Sequence, residues 1–257
     1  MYDQHFGLGF RESIQGLILG AQGGVGEALA QYILAQNPAN RLLLTYRSQP
    51  AQTFLANPSV KQFKLDITDE TAWQDLVHQL KLDAQELNLV VNATGLLSRN
   101  NELSTITPER SLRNLNFQQM HEVFAVNTFG VGLALKYLSP LLPRSNRSIF
   151  ASFSARVGSI EDNRIGGWYS YRASKAAQNM LIKTAALELA RTHKKSVCVA
   201  LHPGTVHSAL SAPFTSRVKH TVFTPSESAE HLVKVFEKLG TEDSGYLYAW
   251  DGSRIPF

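Results

Sequence analysis

Two side chains in the second half of the chain have the types and spacing for proton transfer, Tyr171 and Lys175, in the stretch Ser170 to Asn179. They stand one helical turn apart, so on a helix both lie on one face. A free phenol ionises near pH ~10 and is a poor base at neutrality. An ammonium beside it favours the phenolate and lowers that value, which makes the pair a candidate general acid/base. Such a pair is common in any helix, and its weight depends on what else the chain carries.

The glycines supply the context. Gly20-Ala-Gln-Gly-Gly24-Val25-Gly26 follows an apolar run from Ile14 to Leu19 and opens a helical pattern. Gly20 allows a tight exit from a strand, Gly24 lets backbone amides approach a pyrophosphate, and Gly26 permits close helix packing. The spacing differs from the usual Gly-x-Gly-x-x-Gly, but strand, glycine turn and helix in this order point to a dinucleotide. The second apolar run ends at Thr45-Tyr46-Arg47, where an NAD-selective protein usually places an acid on the ribose 2′-hydroxyl. No acid stands there. Arg47 can pair with a 2′-phosphate and Ser48 can donate to it, so the cofactor expected is NADP(H), with NAD(H) as the other option and an exposed strand-end arginine as the plain alternative. Asp66 either accepts from an adenine amino group or caps the helix that begins nearby.

The elements that must position these residues follow from hydrophobic patterning. Short apolar runs at 14–20, 41–46, 60–66 and 87–93 alternate with amphipathic stretches, and the theme repeats with runs at 147–153, 196–202 and 245–250. Seven strands joined by crossover helices imply an α/β, doubly wound Rossmann fold, with a parallel sheet flanked by helices and its ligand crevice at the carboxyl ends of the strands. One long helical pattern runs from about Asn116 to Leu141 and another through Tyr171 to Thr192. The chain of 257 residues reads as a single domain, 1–257, with about 1–13 as an N-terminal extension. Leu96 to Leu115 and Thr205 to Pro225 exceed ordinary connections, and both, the latter spanning about 205–225, are read as substrate-covering segments.

Composition narrows the class. With 44% hydrophobic and 18% charged residues the chain can bury a large core unaided. Its single cysteine, Cys198, lies in an apolar run, so an internal disulfide is excluded and a reducing, cytoplasmic location is expected. The net charge of +4 is scattered, which argues against nucleic acid as a partner and suits a phosphorylated anion. No run reaches the length of a membrane span and no signal peptide pattern is present, so no membrane partner is expected. His202 and His207 lack a third ligand, and no metal is expected.

Taken together, the glycine turn, Leu65 to Asp69, Asn92 to Gly95, Val126 to Gly130, Ala155 to Ile160, Tyr171 to Lys175, His202 to Ser208 and the ending Trp250 to Phe257 resemble the short-chain dehydrogenase/reductase family, within it the C-factor-like carbonyl reductases. The resemblance runs from about Ile14 to the end. It implies that Gly20, Gly24, Val25 and Gly26 hold phosphate, that Asp66 and Ile67 contact adenine, and that Asn92 and Gly95 line the cofactor beside the central sheet. It implies that Tyr171 donates a proton to a carbonyl oxygen while Lys175 binds nicotinamide ribose hydroxyls, with Asn127 holding a relay water in a helix backbone. Pro203, Gly204, Val206 and Ser208 resemble the segment facing the nicotinamide.

One departure concerns the serine that polarises the substrate oxygen. Counting back from Gly158 lands on Ala155, whereas matching the serine run selects Ser154, with Ser152 on the same side of the strand. Ser154 is taken as the catalytic serine, the alternatives being Ser152 or no serine. Trp168 and Tyr169 are read as a substrate wall. The function expected is NADP(H)-dependent reduction of a small-molecule carbonyl, or oxidation of the alcohol, by a homodimer or homotetramer. The alternative is a dinucleotide-binding regulatory protein with little catalysis.

Overall fold

Apolar runs bounded by glycine or proline become strands because their backbone groups, buried on both faces, can be satisfied only by neighbouring strands. A computed structural model of the protein describes residues 13–82, 86–100, 105–208, 210–217 and 221–257. The strands β1 (Gln15–Leu19), β2 (Arg41–Tyr46), β3 (Val60–Lys64), β4 (Leu89–Asn92), β5 (Ser148–Phe153), β6 (Ser196–His202), β7 (Leu247–Ala249) and β8 (Arg254–Ile255) form one sheet in the order β8-β7-β6-β5-β4-β1-β2-β3. The first seven are parallel. The eighth was not expected, and it pairs antiparallel with β7 after a turn at Trp250 to Ser253. Two residues are too short a run for alternation to reveal.

Helices α1 (Gly24–Gln36), α2 (Glu70–Leu82), α3 (Phe117–Phe124), α4 (Gly130–Leu138), α5 (Tyr169–Thr192) and α6 (Pro225–Lys238) cover the sheet. Alternation along the strands divides the core in two. Ile18, Val91, Val197 and Val199 face the layer with Leu29, Ile33, Leu232 and Phe236, while Leu17, Leu19, Val90 and Cys198 face the layer with Trp73, Leu135, Ile182 and Leu189. Cys198 is thus fully buried, and burial pushes its thiol up to about 12.

The long pattern from Asn116 to Leu141 is not one uniform helix. Asn116 caps α3 by accepting from Gln119 N, and Ala125–Phe129 is a π-helical segment leading into α4. Such wider turns occur where a side chain is held by something outside the helix. Here Asn127 accepts from Leu96 N and donates to Leu96 O, both at 2.8 Å, as a strand partner would. Both expected covering segments carry local order. Arg99–Asn100 pairs with Thr105–Ile106, and Thr205–Val206 pairs with Val222–Phe223. The proposed N-terminal extension, about 1–13, falls almost wholly outside the described residues.

Candidate functional site

Strand order reverses at β1, which has β2 on one side and β4 on the other, and the segments leaving β1 and β4 therefore flank an open crevice. Gly20 leaves β1 with φ +75° and its N–H donates to Thr45 Oγ1, while Ala21 N donates to Thr45 O, so the turn is tied to the end of β2. Gly24 opens α1 at φ +59°. A Cβ at Gly26 would lie 2.7 Å from the Gly20 carbonyl oxygen, so the helix can approach its own turn only without a side chain. Val25 packs partly against the core.

The floor continues from β4. A Cβ at Gly95 would lie 3.8 Å from both Asn127 Oδ1 and Lys175 Nζ, and one at Gly24 would lie 3.8 Å from Ser208 Cβ. Gly24 thus stands beside Ser208, and Gly95 beside Asn127 and Lys175, which brings the start of α1, the segment after β4 and the start of α5 together at the carboxyl ends of the strands. A helix N-terminus near a buried tyrosine–lysine pair suits a dinucleotide, whose phosphates the helix end can bind. Pro203, Gly204 and Val206 border this side. Gly204 has φ +84° and packs against Phe223 and Trp250, Val206 is buried, and Pro203 O accepts from Ser228 Oγ.

At the far end, Tyr171 and Lys175 are 8% and 2% exposed, and Lys175 Nζ stands 5.8 Å from the Tyr171 ring centroid. The helical turn brings them together as expected. Lys175 Nζ donates to Phe153 O and to Gln178 Oε1, both at 2.8 Å. Gln178 Nε2 in turn donates to Ser152 Oγ, which also accepts from Asn92 Nδ2, and Asn92 Oδ1 accepts from Thr94 N and Oγ1. A buried polar chain therefore runs from the lysine across β5 and β4 to Thr94, which packs against Gly20. Gln178 escaped the sequence reading, although its spacing of three from Lys175 could have flagged it.

Electrostatics differ from the sequence expectation. Burial pushes the Tyr171 phenol up and pulls the Lys175 ammonium down to about 7. Loss of water disfavours the phenolate more than the nearby lysine favours it, so Tyr171 keeps its proton at neutral pH. The pair is poised as an acid, the form needed to protonate a developing alkoxide.

Ser154, taken as the catalytic serine, is buried and its Oγ donates to Asn179 Oδ1 at 2.7 Å. Ala155, one residue on, is buried against Tyr171 and Leu97. Val157, Trp168, Leu210 and Phe214 pack on the same cluster. Trp168 enters α5 in the left-handed region, φ 52° and ψ 44°, with its ring 6.2 Å from Tyr171 and 5.1 Å from Phe214.

A residue outside every sequence motif holds this entrance. Glu109 is 2% exposed and its carboxylate accepts from Ser170 N, Ser170 Oγ and Gln119 Nε2, while its carbonyl accepts from Trp168 N. Burial raises its pKa, but the bonds from Ser170, its own backbone and Gln119 outweigh that and leave it lowered.

Arg47 is exposed at the end of β2 and lines a cavity of about 330 Å³ with Asp66, Thr68, Arg99, His121 and Val126. Asp66 does not cap α2. Its Oδ1 accepts from Thr68 N and Oγ1, whereas Asp69 accepts from Thr71 N and Ala72 N at the helix start. Ile67 is buried against Gly130. Among the described residues, His202 and His207 belong to no cluster of potential metal ligands, and no helix is long and apolar enough to cross a membrane.

Comparison with known proteins accords with this geometry. A 1-hydroxy-2-glutathionyl-2-methyl-3-butene dehydrogenase of Rhodococcus sp. AD45 is 26% identical over 92% of this chain and 96% of its own length. The C-signal protein of Myxococcus xanthus is 28% identical over 57% of this chain and 84% of its own. The crystal structure of an NADPH-bound carbonyl reductase from chicken fatty liver superposes with a TM-score of 0.83 at 25% identity, covering 99% of this chain and 97% of that one. The pattern that defines the short chain dehydrogenases matches residues 16–219, the glycine turn after β1 and both Tyr171 and Lys175 included, and the chain belongs to that family of oxidoreductases.

Proposed function

We propose that this enzyme transfers hydride between NADP(H) and a small-molecule carbonyl or its alcohol, with Tyr171 as the general acid/base. The carrying observation is the buried pair at the start of α5, Lys175 Nζ 5.8 Å from the Tyr171 ring. When bound, a reduced nicotinamide dinucleotide supplies hydride. The turn at Gly20, Gly24, Val25 and Gly26 would hold its pyrophosphate, Asp66 and Ile67 its adenine end, Asn92, Gly95, Pro203, Gly204, Val206 and Ser208 its nicotinamide half, and Lys175 its ribose. Arg47 favours a 2′-phosphate and hence NADP(H) over NAD(H).

In reduction the Tyr171 O–H donates to the carbonyl oxygen as charge develops there. Lys175, held by Phe153 O and Gln178 Oε1, places its charge beside the phenolate that results. Asn127, fixed to Leu96 and to Ser174 Oγ, keeps the π-helical backbone against this pair, where a relay water would sit. Ser154 is given no part in the proton path. Tyr171→Phe is expected to bind NADPH with unchanged affinity and to lose at least about 100-fold in turnover. Ordinary turnover by that variant would end the assignment.

Ala155 beside Tyr171, where a hydroxyl was sought, together with the likeness to C-signal, favours a second reading in which the chain binds dinucleotide for regulation with little catalysis. Tight NADPH binding with no oxidation across a panel of carbonyls would favour it. In either reading the exposed Phe129 of the π-helical segment and Met180 and Leu187 of α5 suit pairing with a second copy, whereas Ile182, Ala186 and Leu189 pack on the sheet.

A further inference from the structure

Gln178 follows Lys175 by three residues on α5, is 0% exposed, and has both polar atoms of its amide engaged. Its Oε1 accepts from Lys175 Nζ at 2.8 Å, while its Nε2 donates to Ser152 Oγ at 2.9 Å and to Phe153 O at 3.2 Å. Phe153 O also accepts from Lys175 Nζ, so ammonium, amide and carbonyl close a triangle. That triangle fixes which way the amide faces. Turned over, its NH2 group would meet the ammonium, donor against donor, and its oxygen would face the oxygens of Ser152 and Phe153. Ser152 is itself anchored, since Asn92 Nδ2 donates to it at 3.0 Å and Asn92 Oδ1 accepts from Thr94 N and Oγ1.

The charge on Lys175 has little else to hold it. Among the described residues it enters no ion pair. Tyr171 is the titratable group facing it from its own helix, whereas β5 presents the Phe153 carbonyl, the turn after β5 presents Gly158, and the segment after β4 presents Gly95 with Asn127 of the π-helical segment beside it, all uncharged. Burial disfavours an ammonium, and an oxygen that accepts from it favours the charged form. An apolar side chain at 178 would leave a buried N–H of the lysine unmet. Resting on the Tyr171 and Lys175 assignment above, we propose that Gln178 is a positioning residue of the reaction: its oxygen keeps the Lys175 side chain protonated and in place beside Tyr171, and its NH2 group ties that oxygen to β5 and, through Ser152 and Asn92, to β4. It acts through Lys175 alone.

The test follows the Lys175 Cε resonance against pH in the full chain, labelled at lysine, for the parent, Gln178→Leu and Gln178→Glu, with Lys175→Arg used to assign the signal. Alongside it, kcat/KM for benzil at saturating NADPH is measured at pH 7 and pH 8. In the parent the midpoint stands at about 7. Leucine removes the acceptor and should lower the midpoint by about one pH unit or more, while glutamate sets a carboxylate in the same place and should raise it by about as much. One pH unit corresponds to about a fivefold loss of kcat/KM at pH 7 for leucine and about a fivefold gain at pH 8 for glutamate. Midpoints within about 0.3 pH unit of the parent's in both variants, or displaced the same way in both, overturn the proposal even where Tm falls, because a side chain that merely fills the core changes stability without moving a titration. Should the leucine variant not fold, the glutamate variant decides alone, and a midpoint at or below the parent's refutes the proposal. A parent that binds NADPH yet turns over no benzil tells against the reductase reading, while the lysine resonance still decides whether Gln178 holds the charge.

Discussion

Removing the Glu109 carboxylate probes the link between the long loop after β4 and the reacting helix. In Glu109→Ala the buried Ser170 N–H, 1% exposed as a residue, loses the acceptor it reaches at 3.1 Å, and the Ser170 hydroxyl loses its own. A buried donor left unmet costs about 1–3 kcal/mol. Loss of a helix cap costs about 1 kcal/mol, and α5 has no side-chain cap at Trp168 to replace it. Gln119 is only half-buried and turns to water at little cost. The sum is about 2–4 kcal/mol, at roughly 2–4 °C of Tm per kcal/mol for a chain of this size. Glu109→Gln keeps an acceptor and loses chiefly the charge at the helix N-terminus, about 1 kcal/mol. Because the folded-state pKa is lowered, the charge stabilises the protein above the unfolded carboxyl value of ~4.3 and ceases to do so as pH falls through the folded value. Urea titrations of the three proteins at pH 7 and at pH 3 measure this directly. An alanine variant within about 0.5 kcal/mol of the parent at pH 7, or a parent–glutamine gap that widens in acid, would refute the reasoning.

Three further outcomes follow from the site. Burial pulls Lys175 to about 7, so its ammonium is present below that pH and lost above it. Reductive kcat/KM should accordingly hold in mild acid and fall as pH rises through about 7, and a fall that begins only near the ordinary lysine range would contradict the assignment. Arg47→Ala should weaken NADPH binding by about 10-fold or more while sparing NADH, as a charge-assisted bond to phosphate is worth about 1.5–3 kcal/mol; equal losses for both would remove Arg47 from the 2′ site. Sedimentation equilibrium should give at least twice the 28.5 kDa of one chain, and Leu187→Glu on the exposed face of α5 should shift it towards monomer.

What could be read from the residues was whatever depends on neighbours in sequence. Among the described residues, continuous apolar runs revealed seven of the eight strands of the main sheet, and Gly20 to Gly26 declared itself because glycine adopts φ +75° and φ +59° at least cost and only glycine fits a 2.7 Å approach to backbone. Tyr171 and Lys175 were legible because a helical turn is a local fact. The π-helical segment was hidden, since Ala125 to Phe129 continues an ordinary helical pattern and only its bonds to Leu96 distinguish it.

The two things that matter most for substrate were not local. Choosing between Ser154 and Ala155 requires the register at which β5 ends, where one residue separates a side chain bonded to Asn179 from one packed on Tyr171. Both positions fit the local pattern, and the hydroxyl is chosen on chemical grounds. Glu109 reaches Ser170 across 61 residues, so nothing near it in sequence marks it as the support of the reacting helix. Its burial decides the matter instead. A carboxylate at 2% exposure costs several kcal/mol to desolvate unless its bonds return that energy, and here those bonds fall on the first turn of α5 and on Trp168. The segment after β4 is therefore fastened to the helix that carries Tyr171 and Lys175, and a change in either must be felt by the other.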